Sequence, residues 1–383
     1  MLLKDKQVAV IGGGPGGLTL AKLLQQEGIA VRVYERDLDK NARVQGSPLD
    51  LHDESGLAAL RKANLLDEFR KNFLRGADKK RIVNERAEVC FSDHDHKVEE
   101  NFGNPGFRPE IDRGALRKLL LESLQPATVV WDSHFISMEK ENDGWLLHFK
   151  NGKSFYADIV IGADGANSKI RPYITGIRAF YTGVTMIEGN VYDAEKTIPG
   201  ICKWLSGGKI MAFGNAQDFY VWMNDGGHIG FGASFKTGAI NADLDYNDKA
   251  QVLEWFKTTF FGWSERWYEF FEHAATPFIP RPIYCMPLDQ AWEALPNLTI
   301  LGDAAHVMPP FAGEGVNMAM LDALALSECL ISENFNSLQD AISSYEISMR
   351  ERAAAAAKES LENGEMMHSE QALDKMLAFF GDH

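Results

Sequence analysis

The turn Gly12-Gly13-Gly14-Pro15-Gly16-Gly17 constrains this chain more than any other segment, because of what flanks it. Before it, Gln7-Val8-Ala9-Val10-Ile11 is a β-rich apolar run of the kind buried in a parallel sheet. After it, Leu18, Ala21, Leu23 and Leu24 fall at helical spacing, and Gly28 ends that helix. A second strand, Ala30-Val31-Arg32-Val33-Tyr34, stops at Glu35. The unit reads as strand, helix, strand. Gly12 permits the tight turn, Gly14 lets backbone approach a pyrophosphate at the helix N-terminus with Pro15 beside it, and Gly17 lets helix pack on strand. Glu35 stands where a carboxylate accepts from ribose hydroxyls and repels a 2′-phosphate, which disfavours bound NADP and leaves FAD and NAD.

With 383 residues, 45% of them hydrophobic, the chain can bury a full core and is long enough for two joined domains. Its net charge of -15 repels polyanions, so nucleic acid is not the expected partner. Cys90, Cys202, Cys285 and Cys329 lack metal or disulfide spacing, and no metal site is expected. No charged-then-apolar leader and no apolar run long enough for a spanning helix is visible, so a cytoplasmic protein is expected, without a membrane span.

Two downstream segments bear on the cofactor. Ala157-Asp158-Ile159-Val160-Ile161-Gly162-Ala163-Asp164-Gly165, with Ser168 and Arg171 after it, reads as strand, turn and helix start. Leu298-Thr299-Ile300-Leu301-Gly302-Asp303-Ala304-Ala305-His306 reads as a buried strand delivering Asp303. The turn Pro309-Pro310-Phe311-Ala312-Gly313-Glu314-Gly315-Val316-Asn317 then leads into a helix. With these two segments the sequence resembles the single-component FAD-dependent aromatic hydroxylases.

The resemblance implies that Asp164 holds backbone geometry near FAD, that Asp303 bonds the ribityl chain, and that Pro310, Gly313, Gly315, Val316 and Asn317 present a helix N-terminus to the flavin pyrimidine. A helix dipole there stabilises the negative charge of reduced flavin. That family usually has Gln where Glu314 stands. Arg113 and Arg117, at i and i+4 on one helix face, are a solvated pair by spacing alone, and the resemblance assigns them to the FAD phosphates and ribityl chain.

A closer similarity, to the Tet(X)-type tetracycline-inactivating monooxygenases, is carried by Val33-Tyr34-Glu35-Arg36-Asp37, Leu49-Asp50-Leu51-His52 and Phe231-Gly232-Ala233-Ser234-Phe235-Lys236-Thr237. It implies that Arg36, Asp50 and Leu51 line the adenosine or isoalloxazine region. Where those enzymes place Gln, Arg and His against tetracycline, this chain has Glu188, Lys209 and Gly230. His228, on the same strand face as Gly230, is a candidate replacement for the missing imidazole. Glu188 and Lys209 would orient a polar substrate, Met211 and Phe311 would wall it, and Tyr220, Gly232, Asn363 and Met367 complete the expected pocket.

The expected fold is α/β: a Rossmann-type FAD-binding domain of the p-hydroxybenzoate hydroxylase kind, formed by residues 1–70, 100–176 and 286–330. Residues 71–99 and 177–285 form an inserted mixed-sheet substrate domain, and 336–383 a long bridging helix and a pocket-closing helix. Asn336 or Ser337 caps the long helix, Asn363 and Gly364 end it, and Met366, Met367, Phe379 and Phe380 belong to the closing helix. The resemblance implies a monomer in which NADPH, a transient co-substrate, reduces FAD. Dioxygen adds at C4a, and the flavin hydroperoxide hydroxylates a phenol or enol, with a tetracycline or related polycyclic compound as candidate. The catalytic chemistry is then flavin-centred, with no catalytic side chain. A flavin-dependent reductase and a flavoprotein that binds tetracycline-like ligands without turnover are the alternatives.

Overall fold

Strands Val8–Ile11, Val31–Tyr34, Val129–Val130, Ile159–Gly162 and Leu298–Ile300 are short and mostly buried, which suits a sheet covered on both faces. They pair in parallel, with Ile159–Gly162 beside Val8–Ile11 and Leu298–Ile300 at one edge. The computed structural model describes residues 2–42, 46–95, 100–104, 106–238 and 244–381. Among them no helix is long and apolar enough to cross a membrane.

A second, seven-stranded mixed sheet is built mainly from Phe180–Val191, Lys209–Gly214, Gln217–Asn224, His228–Lys236 and Ala275–Cys285. Lys80–Asn84 and Val89–Ser92 extend it at one edge. Alternation decides its two faces. Phe219, Phe231 and Ile210 point to one side, where they pack with Phe256, Trp267, Phe270 and Phe271 in a buried aromatic core. Register places the opposite residues in rows: Lys209, Trp222 and Gly230; then Met211, Tyr220, Gly232 and Glu188; then Phe213, Asp218, Ser234 and Met186.

The helix Leu338–Met367 joins the two sheets. Ser337 caps it, its hydroxyl accepting from Asp340 N–H at 3.1 Å. Tyr345 donates to the carbonyl of Ile300 at 3.1 Å, and Thr299 to Glu346 at 2.7 Å, which ties the helix to the parallel sheet. Asn363 and Gly364 do not end it. Gly364 is a packing glycine: a Cβ there would lie 2.6 Å from the Phe311 ring, so the residue permits close approach rather than a stop. Met366 and Met367 therefore close the long helix, and the last helix, Ala372–Gly381, carries Phe379 and Phe380 alone of the four expected residues.

Candidate functional site

Two helix N-termini converge on one cavity. Helix Pro15–Gln26 begins directly after Gly14, with proline at its first position, and helix Gly315–Ile331 begins after Gly313-Glu314. They cross closely because Gly16 has no side chain: a Cβ there would sit 2.9 Å from the carbonyl of Ala319. The cavity measures about 1100 Å³ and runs from Gly14–Gly17 past Arg113, Asp303, Pro310, Gly313 and Gly315 to Tyr220 and Met211 on the mixed sheet.

The glycines divide by task. Gly12 has φ +112°, and a Cβ on it would lie 2.2 Å from Ala163 O. One on Gly17 would lie 2.2 Å from Gly12 O. At Gly14 and Gly315 a Cβ meets nothing within 4 Å, and both line the cavity. Gly12 and Gly17 are thus required by the turn itself, whereas Gly14 and Gly315 leave open backbone at two helix N-termini. Such a cradle fits the phosphates and the electron-rich pyrimidine edge of a flavin dinucleotide.

Arg113 follows Asp112, which caps its helix by accepting from Gly114 and Ala115 N–H. The guanidinium donates to Ser47 O at 2.7 Å and lines the cavity. Asp303 also lines it; its accessible surface is large, although protein surrounds it on every side, so the exposure is to the cavity. That enclosure raises its carboxyl above the ordinary range, with His306 and Arg113 pulling it back.

Other expected cofactor residues stand outside the cavity wall. Gly12 is taken up by the turn. Glu35 turns its carboxylate onto the turn's backbone, accepting from Gly13 N–H at 2.6 Å and Asp37 N–H at 3.0 Å. Arg36 is exposed, and Leu51 is buried in the core beneath the site. Arg117 pairs with Asp37 at 2.6 Å instead of reaching the cavity. Asp164 folds its own turn, accepting from Ser168 Oγ at 2.6 Å and Lys169 N–H at 2.7 Å. Asn317 is a buried clamp: its Oδ1 accepts from His52 N–H at 3.0 Å, and its Nδ2 donates to Asp50 O at 3.0 Å.

Lys209, Met211, Tyr220 and Glu188 on the mixed-sheet floor, Phe311 in the turn and Met367 at the end of the long helix all line the cavity. The charges are largely paired. Lys209 bonds Glu110, and Arg281 donates to Glu188 at 2.8 Å. Burial works against the Lys209 ammonium, but Tyr220, Glu110 and Asp50 raise it above its ordinary range; burial lifts Tyr220 to about 12. Glu110 is itself raised by burial, which Lys209 opposes.

His228 is not among the residues that line the cavity. It lies at the strand's end, where its Nδ1 accepts from Asp193 N–H at 3.3 Å and its ring meets Tyr192 edge-on. The volume above Gly230 is filled by Trp222, opposite it in register, whose indole would be 2.3 Å from a Cβ there. Gly232 is likewise covered, by Met186, and Asn363 donates to Phe311 O at 3.2 Å from behind the wall. Sequence reasoning missed Trp222, Asp218, Met186 and Arg281. The alternation that turns Tyr220 to the cavity also puts Asp218 and Trp222 on its face, and that signal was available in Gln217–Asn224.

Asp50, His52 and Glu314 form an array at the turn. His52 is buried, with Nε2 3.1 Å from Asp50 and Nδ1 3.1 Å from Glu314. Burial alone would lower the imidazole, but the two carboxylates lift it to about 9.

A family model described as FAD binding domain matches residues 5–213 and 296–360. The chain is 27% identical to monooxygenase asqM of Emericella nidulans, over 98% of each chain. It is also 27% identical to 3-amino-4-hydroxybenzoate 2-monooxygenase PtmB3 of Streptomyces platensis, over 94% of this chain and 88% of that one. In fold it is similar to the tetracycline destructase Tet(55), with a TM-score of 0.77 at 18% identity over 100% of this chain and 96% of that one.

Proposed function

The chain belongs to the FAD binding domain family and is an FAD-dependent monooxygenase, and from that premise we propose that it uses NADPH and dioxygen to hydroxylate an electron-rich phenol or enol on a polycyclic scaffold, a tetracycline or a related compound. The observation that carries this reading is the continuity of the cavity: one space of about 1100 Å³ joins the open glycines of both helix N-termini to the aromatic floor of the mixed sheet. Bound FAD supplies the redox chemistry, taking up electrons and activating dioxygen.

The residues of the chain do the rest. Gly14 and Gly315 offer backbone N–H groups, and Arg113 a guanidinium, to the cofactor's anionic parts. Tyr220, Trp222, Met186 and Met211 give a ring system an aromatic and thioether bed. Because Lys209 and Glu188 are already paired, the floor favours a neutral or internally balanced ring system over a small aromatic anion.

The reading is tested by NADPH oxidation by the purified yellow protein, with and without tetracycline, in air and under nitrogen, followed by product mass. Substrate-stimulated NADPH loss with a product one oxygen atom heavier is expected. Oxidation without an oxygenated product rejects tetracycline as substrate and leaves the flavoenzyme, and no NADPH oxidation with any polycyclic phenol rejects the proposal.

A further inference from the structure

The floor carries one carboxyl group, Asp218, that pairs with neither lysine nor arginine among the described residues, although it is only 6% exposed and lines the cavity. Its Oδ2 lies 3.1 Å from Nε2 of His368, and Ser234 Oγ lies 2.7 Å from the same nitrogen. On the other side of the ring, His368 Nδ1 is 2.8 Å from the carbonyl of Gly364.

A carbonyl can only accept, so Nδ1 carries the hydrogen, and in a neutral ring Nε2 is a bare lone pair. The Ser234 hydroxyl is placed to donate to that lone pair, so the Asp218 oxygen 3.1 Å away receives no hydrogen from the ring. A buried carboxylate facing a lone pair is raised in energy and, once deprotonated, is a stronger base than a lone carboxylate in water.

We propose that Asp218 is a catalytic residue, the proton acceptor for the substrate's ring hydroxyl, with His368 and Ser234 as positioning residues; this rests on the monooxygenase reading above. The substrate O–H bond breaks, and its proton passes to Asp218 Oδ2, shared with His368 Nε2. The electron pair stays on the ring oxygen and enriches the ring carbon that receives the oxygen atom. NADPH and dioxygen supply the redox equivalents, and the pair returns its proton to the product oxygen.

The surroundings support the assignment. Burial pushes the Asp218 carboxyl up to about 8, with the Ser234 hydroxyl pulling it back, and burial holds His368 below its ordinary range. Lys236 and Glu365, the charged groups that face His368, are paired with each other at 2.6 Å. A base near 8 accepts from a phenol far more readily than a carboxylate at its ordinary value does, and it is still largely available in mildly alkaline solution. Two other carboxyls that line the cavity are committed elsewhere, Glu188 to Arg281 and Glu110 to Lys209.

The test is the pH dependence of binding of 2-naphthol and its methyl ether to the holoenzyme, followed by tryptophan and flavin fluorescence. For the wild type, naphthol affinity should rise about tenfold between about pH 7 and pH 9, while the ether, which has no hydroxyl to give, shows no rise. The rise should vanish in Asp218→Asn and move along the pH axis in His368→Gln, a displacement that a structural role for the histidine would not produce. Equal pH dependence for naphthol and ether, no naphthol binding, or an unchanged rise in Asp218→Asn overturns the proposal. Wild-type protein that shows the rise but consumes no NADPH keeps the base and loses the monooxygenase reading.

Discussion

His52 stands between Asp50 and Glu314 with each ring nitrogen 3.1 Å from a carboxylate oxygen, so both nitrogens need a hydrogen and the ring is an imidazolium. The array stitches the segment after Leu49–Asp50 to the turn that opens helix Gly315–Ile331, in parallel with the Asn317 clamp. Because the folded value is raised to about 9 from 6.5, its stabilisation is complete below the unfolded value and is lost as pH rises through about 9. The melting temperature should therefore fall across that window, by an amount corresponding to about 1–3 kcal/mol. Glu314→Gln should flatten the fall; thermal denaturation from acid to alkaline pH reads both.

Gly14 and Gly17 should fail in opposite ways. Gly14→Val has open space and an ordinary negative φ, so it should fold within about 1 kcal/mol of wild type yet purify colourless, its side chain occupying the cradle. Gly17→Ala drives a methyl to 2.2 Å from Gly12 O and should cost roughly 2–4 kcal/mol whether or not flavin is added. Calorimetry beside a visible spectrum separates the two; a yellow Gly14→Val protein would remove the cradle from that position.

Restoring an imidazole at position 230 should not restore a pocket contact. Gly230→His collides with the Trp222 indole and should cost about 1–3 kcal/mol, and adding Trp222→Ala should recover most of it. A double variant no more stable than the single one would show that Trp222 does not fill that volume.

Lys209→Met leaves Glu110 buried without its cation and should destabilise by about 3 kcal/mol, whereas Lys209→Met with Glu110→Gln should lie near wild type. Urea denaturation of the four proteins forms the cycle, and additive effects would mean that the pair does not interact.

Much of the cofactor half was legible because its constraints are local. Gly12, Gly14 and Gly17 follow one another along one strand-to-helix turn, so spacing suggests their roles, while Leu298–Ile300 leads directly to Asp303, whose role the family resemblance implies. The floor was less legible because its constraints run across strands. That Gly230 is covered by Trp222, and Gly232 by Met186, depends on register between segments that no spacing along the chain reveals. Gly364 reads as a helix stop for the same reason, since Phe311, which makes it necessary, lies far away along the chain. Its place at a strand end points Glu35 toward the cofactor, and the resemblance points Arg117 there; the structure gives both to partners nearby in the fold, the Gly13 amide and Asp37.

The helix Leu338–Met367 touches the parallel sheet through Tyr345 and Glu346, the turn through Ser360 and Asn363, and ends beside His368. Its 30 residues make a lever of about 45 Å on which both sheets are hung. With spacing set by that lever, the two halves of the molecule are free to change at different speeds: cavity-facing residues such as Met211 or Met367 can drift toward new substrates while the glycines that hold the cofactor stay still. Descent with an old engine and a changing intake is a course of evolution open to a chain assembled this way.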